Sequence, residues 1–127
     1  MSTITIAGNL TRDPELHNLG GGKTLTRFSI AENRRFTDKT GNDQETVTYL
    51  DVAAWGPMAA NVANSLRTGD RVLVTGRLEQ STWEAPDGTR RTKHELVATE
   101  VAASLRYAEA SLARRPKATD EADDDLN

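Results

Sequence analysis

The stretch TVTYLDVAAWGPMAANVANSLRTGDRVLVTGRL, residues 46–78, decides the fold. Its first ten residues alternate with the period of a strand: Leu50, Val52 and Ala54 share one face, and Val47, Tyr49, Asp51, Ala53 and Trp55 share the other. An unpaired carboxylate is costly in an apolar core, so the face carrying Asp51 is predicted to point outward. Gly56-Pro57 breaks the strand, and Pro57 suits the first position of a helix. Ala59, Val62, Ala63 and Leu66 then recur as one apolar stripe, and Gly69 is expected to cap that helix at its C-terminus. Alternation resumes at Arg71: Val72, Val74 and Leu78 are expected inward, and Arg71, Arg77, Glu79, Ser81 and Trp83 outward.

Upstream, residues 3–10 and 25–32 also alternate, the second placing Phe28 with Ile30 on an inward face. Between them lies an expected loop with Asp13-Pro14 and Gly20-Gly21-Gly22, and after them a polar, turn-rich stretch, residues 33–45. Downstream, Ala85-Pro86-Asp87-Gly88 turns the chain into a last strand, residues 89–105. From Ala108 the composition shifts to Ala, Arg, Pro and Asp with no period. The expectation is one domain, residues 1–107, followed by a disordered acidic tail, residues 108–127. Three strands, a helix and two strands give an all-β fold in the order of the OB-fold, a five-stranded Greek-key barrel with one short helix between strands 3 and 4.

Composition removes several kinds of chemistry. The chain has no cysteine and two histidines, His17 and His94, so disulfides and thiolate metal sites are excluded and a histidine-based triad is poorly supplied. Gly22-Lys23-Thr24 looks like the end of a phosphate-binding loop, but that motif needs glycine where His17 stands, and a helix where residues 25–30 alternate. Asp13, Glu15 and His17 lie close together without a fourth ligand. No metal, no cofactor and no enzymatic activity are therefore expected. The opening residues lack a basic segment followed by an apolar run, and no stretch is long enough to span a bilayer; a soluble cytoplasmic protein without a membrane partner is expected.

The net charge of −3 conceals two regions. Residues 118–127 hold five of the 19 acidic residues and none of the 16 basic ones, leaving 16 against 14, or +2, for residues 1–117. Where the positive charges sit matters more than that balance. Tyr49 and Trp55 lie on the predicted outer face, about 20 Å apart along the strand. Trp83 precedes a hairpin tip that Arg90, Arg91 and Lys93 follow, and Phe36 sits beside Arg34 and Arg35 with Lys39 close behind. Exposed rings with cations nearby offer base stacking together with phosphate neutralisation, the chemistry of a single-stranded nucleic-acid groove. A plainer alternative packs Tyr49 or Trp55 against the helix or a partner subunit and leaves Arg90, Arg91 and Lys93 as a solvated edge.

Four segments carry a resemblance: ITIAGNLTRDPEL, TRFSIAEN, YLDVAAWG and LRTGDRVLVTGRLEQSTW. In this order and spacing the chain resembles the bacterial single-stranded DNA-binding proteins over roughly residues 2–105. The resemblance implies an OB-fold protomer that assembles as a homotetramer wrapped by single-stranded DNA, in association with the nucleoid during replication, recombination and repair. It implies base stacking on Phe36, Tyr49, Trp55 and Trp83; Phe36 and Tyr49 stand where tryptophan is frequent. Asp51, Glu79 and Ser81 replace arginines found in some members, which implies a thinner basic path. The family's acidic tail typically ends in a Pro-Phe tip that docks on replication and repair proteins. Here Asp123, Asp124 and Asp125 are followed by Leu126-Asn127, so the tail is expected to be a weak partner-binding segment for such proteins, without the usual hydrophobic tip. A primosomal or RNA-binding OB-fold module remains the alternative function.

Overall fold

The computed structural model describes residues 3–116. Seven elements follow one another: β1 (Thr3–Leu10), β2 (Glu15–Gly20), β3 (Lys23–Thr37), β4 (Asp43–Trp55), α1 (Pro57–Ser65), β5 (Arg71–Glu84) and β6 (Arg90–Ala103). The strands form one sheet in the order β1-β5-β6-β4-β3-β2, and a further β1–β3 pairing closes five of them into a barrel. All pairings are antiparallel except β4 with β6. This is the expected OB-fold barrel with its helix between the third and fourth barrel strands.

Alternation fills the barrel as the sequence predicts. Phe28 on β3 registers with Val52 on β4, and Val52 with Leu96 on β6, so three fully buried side chains cross the interior in one row. Ile30, Ala54, Val62, Leu66, Val72, Val74 and Ala98 complete the core, with Ile4, Ile6, Leu50, Met58 and Val101 packed against it. Burying such apolar surface supplies most of the folding free energy, at about 25 cal/mol per Å².

Closure requires two glycines. Gly8 faces the β1–β3 seam, where a Cβ would sit 2.8 Å from the Ala31 carbonyl oxygen. At Gly76 a Cβ would run into the Val97 backbone carbonyl. There Thr75 pairs with Glu100 and Gly76 with Ala98, so Thr99 bulges from β6 and its hydroxyl donates to the Thr75 carbonyl at 3.1 Å.

The helix begins at Pro57, and the Thr24 hydroxyl donates to the Gly56 carbonyl at 3.0 Å while buried Thr26 donates to the Ala59 carbonyl at 2.7 Å. These bonds fasten the end of the barrel to the first turn of α1. The helix stops at Ser65, earlier than a Gly69 cap implies. Leu66 is already extended, and the Arg67 guanidinium donates to the Ala63 and Leu66 carbonyls. Gly69 instead shapes the turn into β5, at φ +90°, where its N–H donates to the Leu10 carbonyl at 2.8 Å.

Three segments differ from their sequence reading. Residues 15–20, expected as loop, pair with β3 as an extra edge strand whose side chains are all exposed. The turn-rich stretch 33–45 is mostly strand: pairing continues out to Thr37 opposite Asp43. Leu78 keeps the expected inward facing, opposite Leu96 on β6, but is 45% exposed, because burial along β5 ends at Gly76. Residues 104–116 form neither helix nor strand, and the rest of the expected acidic tail, with Asp123, Asp124, Asp125 and Leu126, lies outside the described residues. Among the described residues no helix is long and apolar enough to cross a membrane.

Both long hairpins are tied at the tip by an aspartate and a threonine two residues on. The Asp38 carboxylate accepts from the Thr40 hydroxyl at 2.6 Å, the Thr40 and Asn42 N–H groups at 2.9 and 3.0 Å, and the Gln44 amide at 3.0 Å. Asp87 accepts from the Thr89 hydroxyl at 2.6 Å and its N–H at 3.0 Å. The Thr40 hydroxyl above all, then the Asn42 N–H, holds the Asp38 carboxyl below the ordinary aspartate range; the Thr89 hydroxyl and N–H do the same for Asp87.

Two outcomes follow from this architecture. Gly76→Ala should lower stability by about 1–3 kcal/mol in urea unfolding, since the obstacle is backbone and cannot move aside; a melt indistinguishable from the parent would contradict the seam geometry. Because Asp38 and Asp87 are depressed on folding, their contribution to tip order is complete above the ordinary value of 3.8 and is lost as pH falls through their lower folded values. In an NMR titration, the Thr40 and Thr89 amide shifts should move with midpoints below 3.8. Midpoints at or above it would show that the tips are open.

Candidate nucleic-acid interface

The outer surface of the sheet is defined by register. Ser29 on β3 lies opposite Asp51 on β4, Asp51 beside Glu95 on β6, and Glu95 opposite Glu79 on β5. These four residues form one polar row across four strands, all on the face away from Phe28, Val52 and Leu96. Period two then places Tyr49 and Trp55 on β4, Ser81 and Trp83 on β5, and Arg91 and Lys93 on β6 on the same surface. The rings are accessible: Tyr49 is 69% exposed, Trp55 44% and Trp83 46%. More of the Tyr49 side chain than of Trp55, which lies two residues before α1, is open to solvent. Ala53, although on this outer face, is fully buried where β3, β4 and β6 meet.

Phe36 and Arg34 occupy a different position. Both share the parity of Ile30 and Phe28, so on the protruding β3–β4 hairpin they lie on the face opposite Tyr49 and Arg35. Phe36 is 42% exposed there, because the hairpin has left the barrel and nothing covers its inner side. Lys39 occupies the tip, between Asp38 and Thr40. The β5–β6 hairpin separates its cations in the same way. Arg91 and Lys93 share a face with Trp83, its Arg91 neighbour directly opposite, whereas Arg90 pairs with Glu84 on the reverse side. The aromatic groups therefore stand on both arms and on the barrel wall between them.

Arg71 stands apart. It lies at the start of β5, about 40 Å of extended strand from Trp83, and its Nε is buried without a hydrogen-bond partner. It borders an open groove between α1 and residues 103–115, in which the exposed ring of Tyr107 also lies.

Much of the positive charge is held by carboxylates. Arg77 Nε contacts Glu79 at 2.7 Å, Arg35 Nε contacts Glu45 at 3.0 Å, Arg91 reaches Asp87 at 3.7 Å and Lys93 reaches Asp51 at 3.9 Å. Asp51 also accepts from the Ser29 hydroxyl at 2.6 Å. Arg27, which the sequence reading did not single out, pairs with Glu95 at 3.4 Å. Its outward facing follows from alternation with Phe28, but its partner 68 positions away does not. Arg34, Lys39 and Arg90 have no carboxylate partner among the described residues. Accessible rings interleaved with guanidinium and ammonium groups suit a ligand with planar rings and spaced negative charges. Among the described residues there is no cluster of metal-ligating side chains.

Residues 1–104 match the single-strand binding protein family. The chain is 41% identical over 116 residues to the single-stranded DNA-binding protein of Bifidobacterium longum, an alignment covering 90% of this chain and 53% of that protein. It thus spans about half the length of that relative. The fold is similar to that of a small single-stranded DNA-binding protein from Streptomyces coelicolor, with a TM-score of 0.71, 28% identity, and coverage of 84% of this chain and 97% of that one. It also resembles a Plasmodium falciparum SSB in complex with ssDNA, at a TM-score of 0.76 and 20% identity, covering 82% and 95% of the two chains; at that identity the likeness concerns the fold alone. The matched residues run from β1 to the end of β6, the whole barrel with both hairpins, and the chain belongs to the single-strand binding protein family.

Proposed function

We propose that this protein binds and protects single-stranded DNA without sequence preference and without chemistry, in replication, recombination and repair. The observation that carries the reading is the outer surface of the barrel, where Tyr49, Trp55 and Trp83 are exposed on one face in a chain of this family. Each base stacked on such a ring contributes about 1–3 kcal/mol, and every base has a face to stack. Phe36 extends the stacking surface onto the reverse side of its hairpin, so the strand wraps around the arm. Arg34, Lys39 and Arg90 meet phosphates directly, while Arg35, Arg77, Arg91 and Lys93 do so in exchange with their carboxylates. Arg71 lies too far from the rings to serve the same segment of DNA, and takes part only where the strand continues around the barrel.

The protein works in the cytoplasm, with the nucleoid, as a homotetramer. Support for the assembly is family membership. Contact with replication and repair proteins through Asp123, Asp124, Asp125 and Leu126 rests on the charge of that run.

Trp55→Ala and Trp83→Ala should each weaken oligo-dT binding by roughly 1–3 kcal/mol in a fluorescence-anisotropy titration. Parental affinity in both variants would remove these rings from the site. A solution mass near four times 13.9 kDa is expected by light scattering, and a mass near 13.9 kDa would refute the tetramer.

A further inference from the structure

The polar row that crosses the outer face has a charge pattern that a plain phosphate-binding groove would avoid. Glu79, Glu95 and Asp51 are nearest neighbours on β5, β6 and β4, an arrangement of like charges that costs stability in an uncompensated sheet. Each is matched by a cation of the same surface: Glu79 by Arg77 at 2.7 Å, Glu95 by Arg27 at 3.4 Å, and Asp51 by Lys93 at 3.9 Å. The Glu95 Oε2 is buried, and among the described residues it has no hydrogen-bond partner and pairs with Arg27 alone. A phosphate that captured Arg27 would leave that buried oxygen of the half-buried carboxylate without a partner, which is costly. The belt is neutral in sum, and it lies between Tyr49 and Trp55.

From this geometry we infer that Asp51, Glu79 and Glu95 are specificity-determining residues that select unpaired over duplex DNA; the inference rests on the functional reading above. A single strand turns its bases to the rings, and that stacking offsets the cost of drawing Arg77 and Lys93 from their carboxylates. A duplex hides its base faces and can offer only phosphates, which meet cations already committed to carboxylates. The belt thus withholds the electrostatic attraction on which sequence-neutral duplex binding depends.

Asp51→Asn and Glu79→Gln test this, since both carboxylates are about half-exposed and both replacements keep the shape. Each frees one cation, Lys93 or Arg77. Duplex affinity at low salt should rise about fivefold in each variant, and the slope of log affinity against log salt for duplex should steepen by about 0.9. The ratio of oligo-dT to duplex affinity should fall accordingly. Adding Lys93→Gln to Asp51→Asn should return the duplex slope to the parental value. Unchanged duplex affinity and slope in both single variants would overturn the inference, and if Trp55→Ala still weakened oligo-dT binding, the functional reading would stand. If Trp55→Ala had no effect either, that reading would fail with it.

Discussion

Asp51 cannot enter the barrel. A carboxylate in an apolar interior needs a full set of partners, and the core of this protein, built from Phe28, Ile30, Val52, Leu96 and their neighbours, has none to give. On the outside it finds the Ser29 hydroxyl at 2.6 Å and the Lys93 ammonium at 3.9 Å. That one placement fixes the register of β4, since a slip by one residue would exchange its two faces. With it, Val52 and Ala54 turn inward onto the core, and Tyr49 and Trp55 turn out. Because β4 pairs with β3 on one side and β6 on the other, its register passes to both neighbours and through β6 to β5. The surface that carries the rings is thus a consequence of where one charge can be.

The same surface reconciles two demands. A protein that holds unpaired DNA needs aromatic area in contact with water, which a sheet tolerates only if polar residues separate the rings. It also needs cations, yet too many would attract any polyanion. Here each ion pair on the face holds a cation in place without adding net charge, while three cations that have no carboxylate partner among the described residues, Arg34, Lys39 and Arg90, lie on the hairpin arms. The aspartates at the two tips keep the arms, and so Phe36 and Trp83, in position.

Much of this is legible in the sequence, for reasons that can be named. Barrel strands bury one side, so alternation in residues 46–55 and 71–76 reports their facing directly. Exposed edges leave no such trace: β2 is polar or exposed at every position, and its pairing to β3 could not be read from a pattern of burial it does not have. The arms beyond Glu32 and before Thr46 are solvated on both sides and look like loop for the same reason. Leu78 has the inward facing that alternation gives it, opposite Leu96, yet it is largely exposed, because alternation reports which face a side chain takes and not whether anything covers it. Grouping by proximity in sequence also failed locally. Arg90 and Arg91 are adjacent in the chain yet on opposite faces, as are Arg34 and Arg35. Ion pairs such as Arg27 with Glu95 join strands through the parallel β4–β6 contact, and nothing short-range announces them.

The chain has two tryptophans, Trp55 and Trp83, and both stand on the outer face. Its intrinsic fluorescence therefore reports on that surface and on little else. Titration with oligo-dT should quench the emission strongly and to saturation, while duplex DNA at the same concentration should leave most of it intact. Emission unaffected by oligo-dT, or quenched equally by duplex, would contradict an interface that recognises bases by stacking.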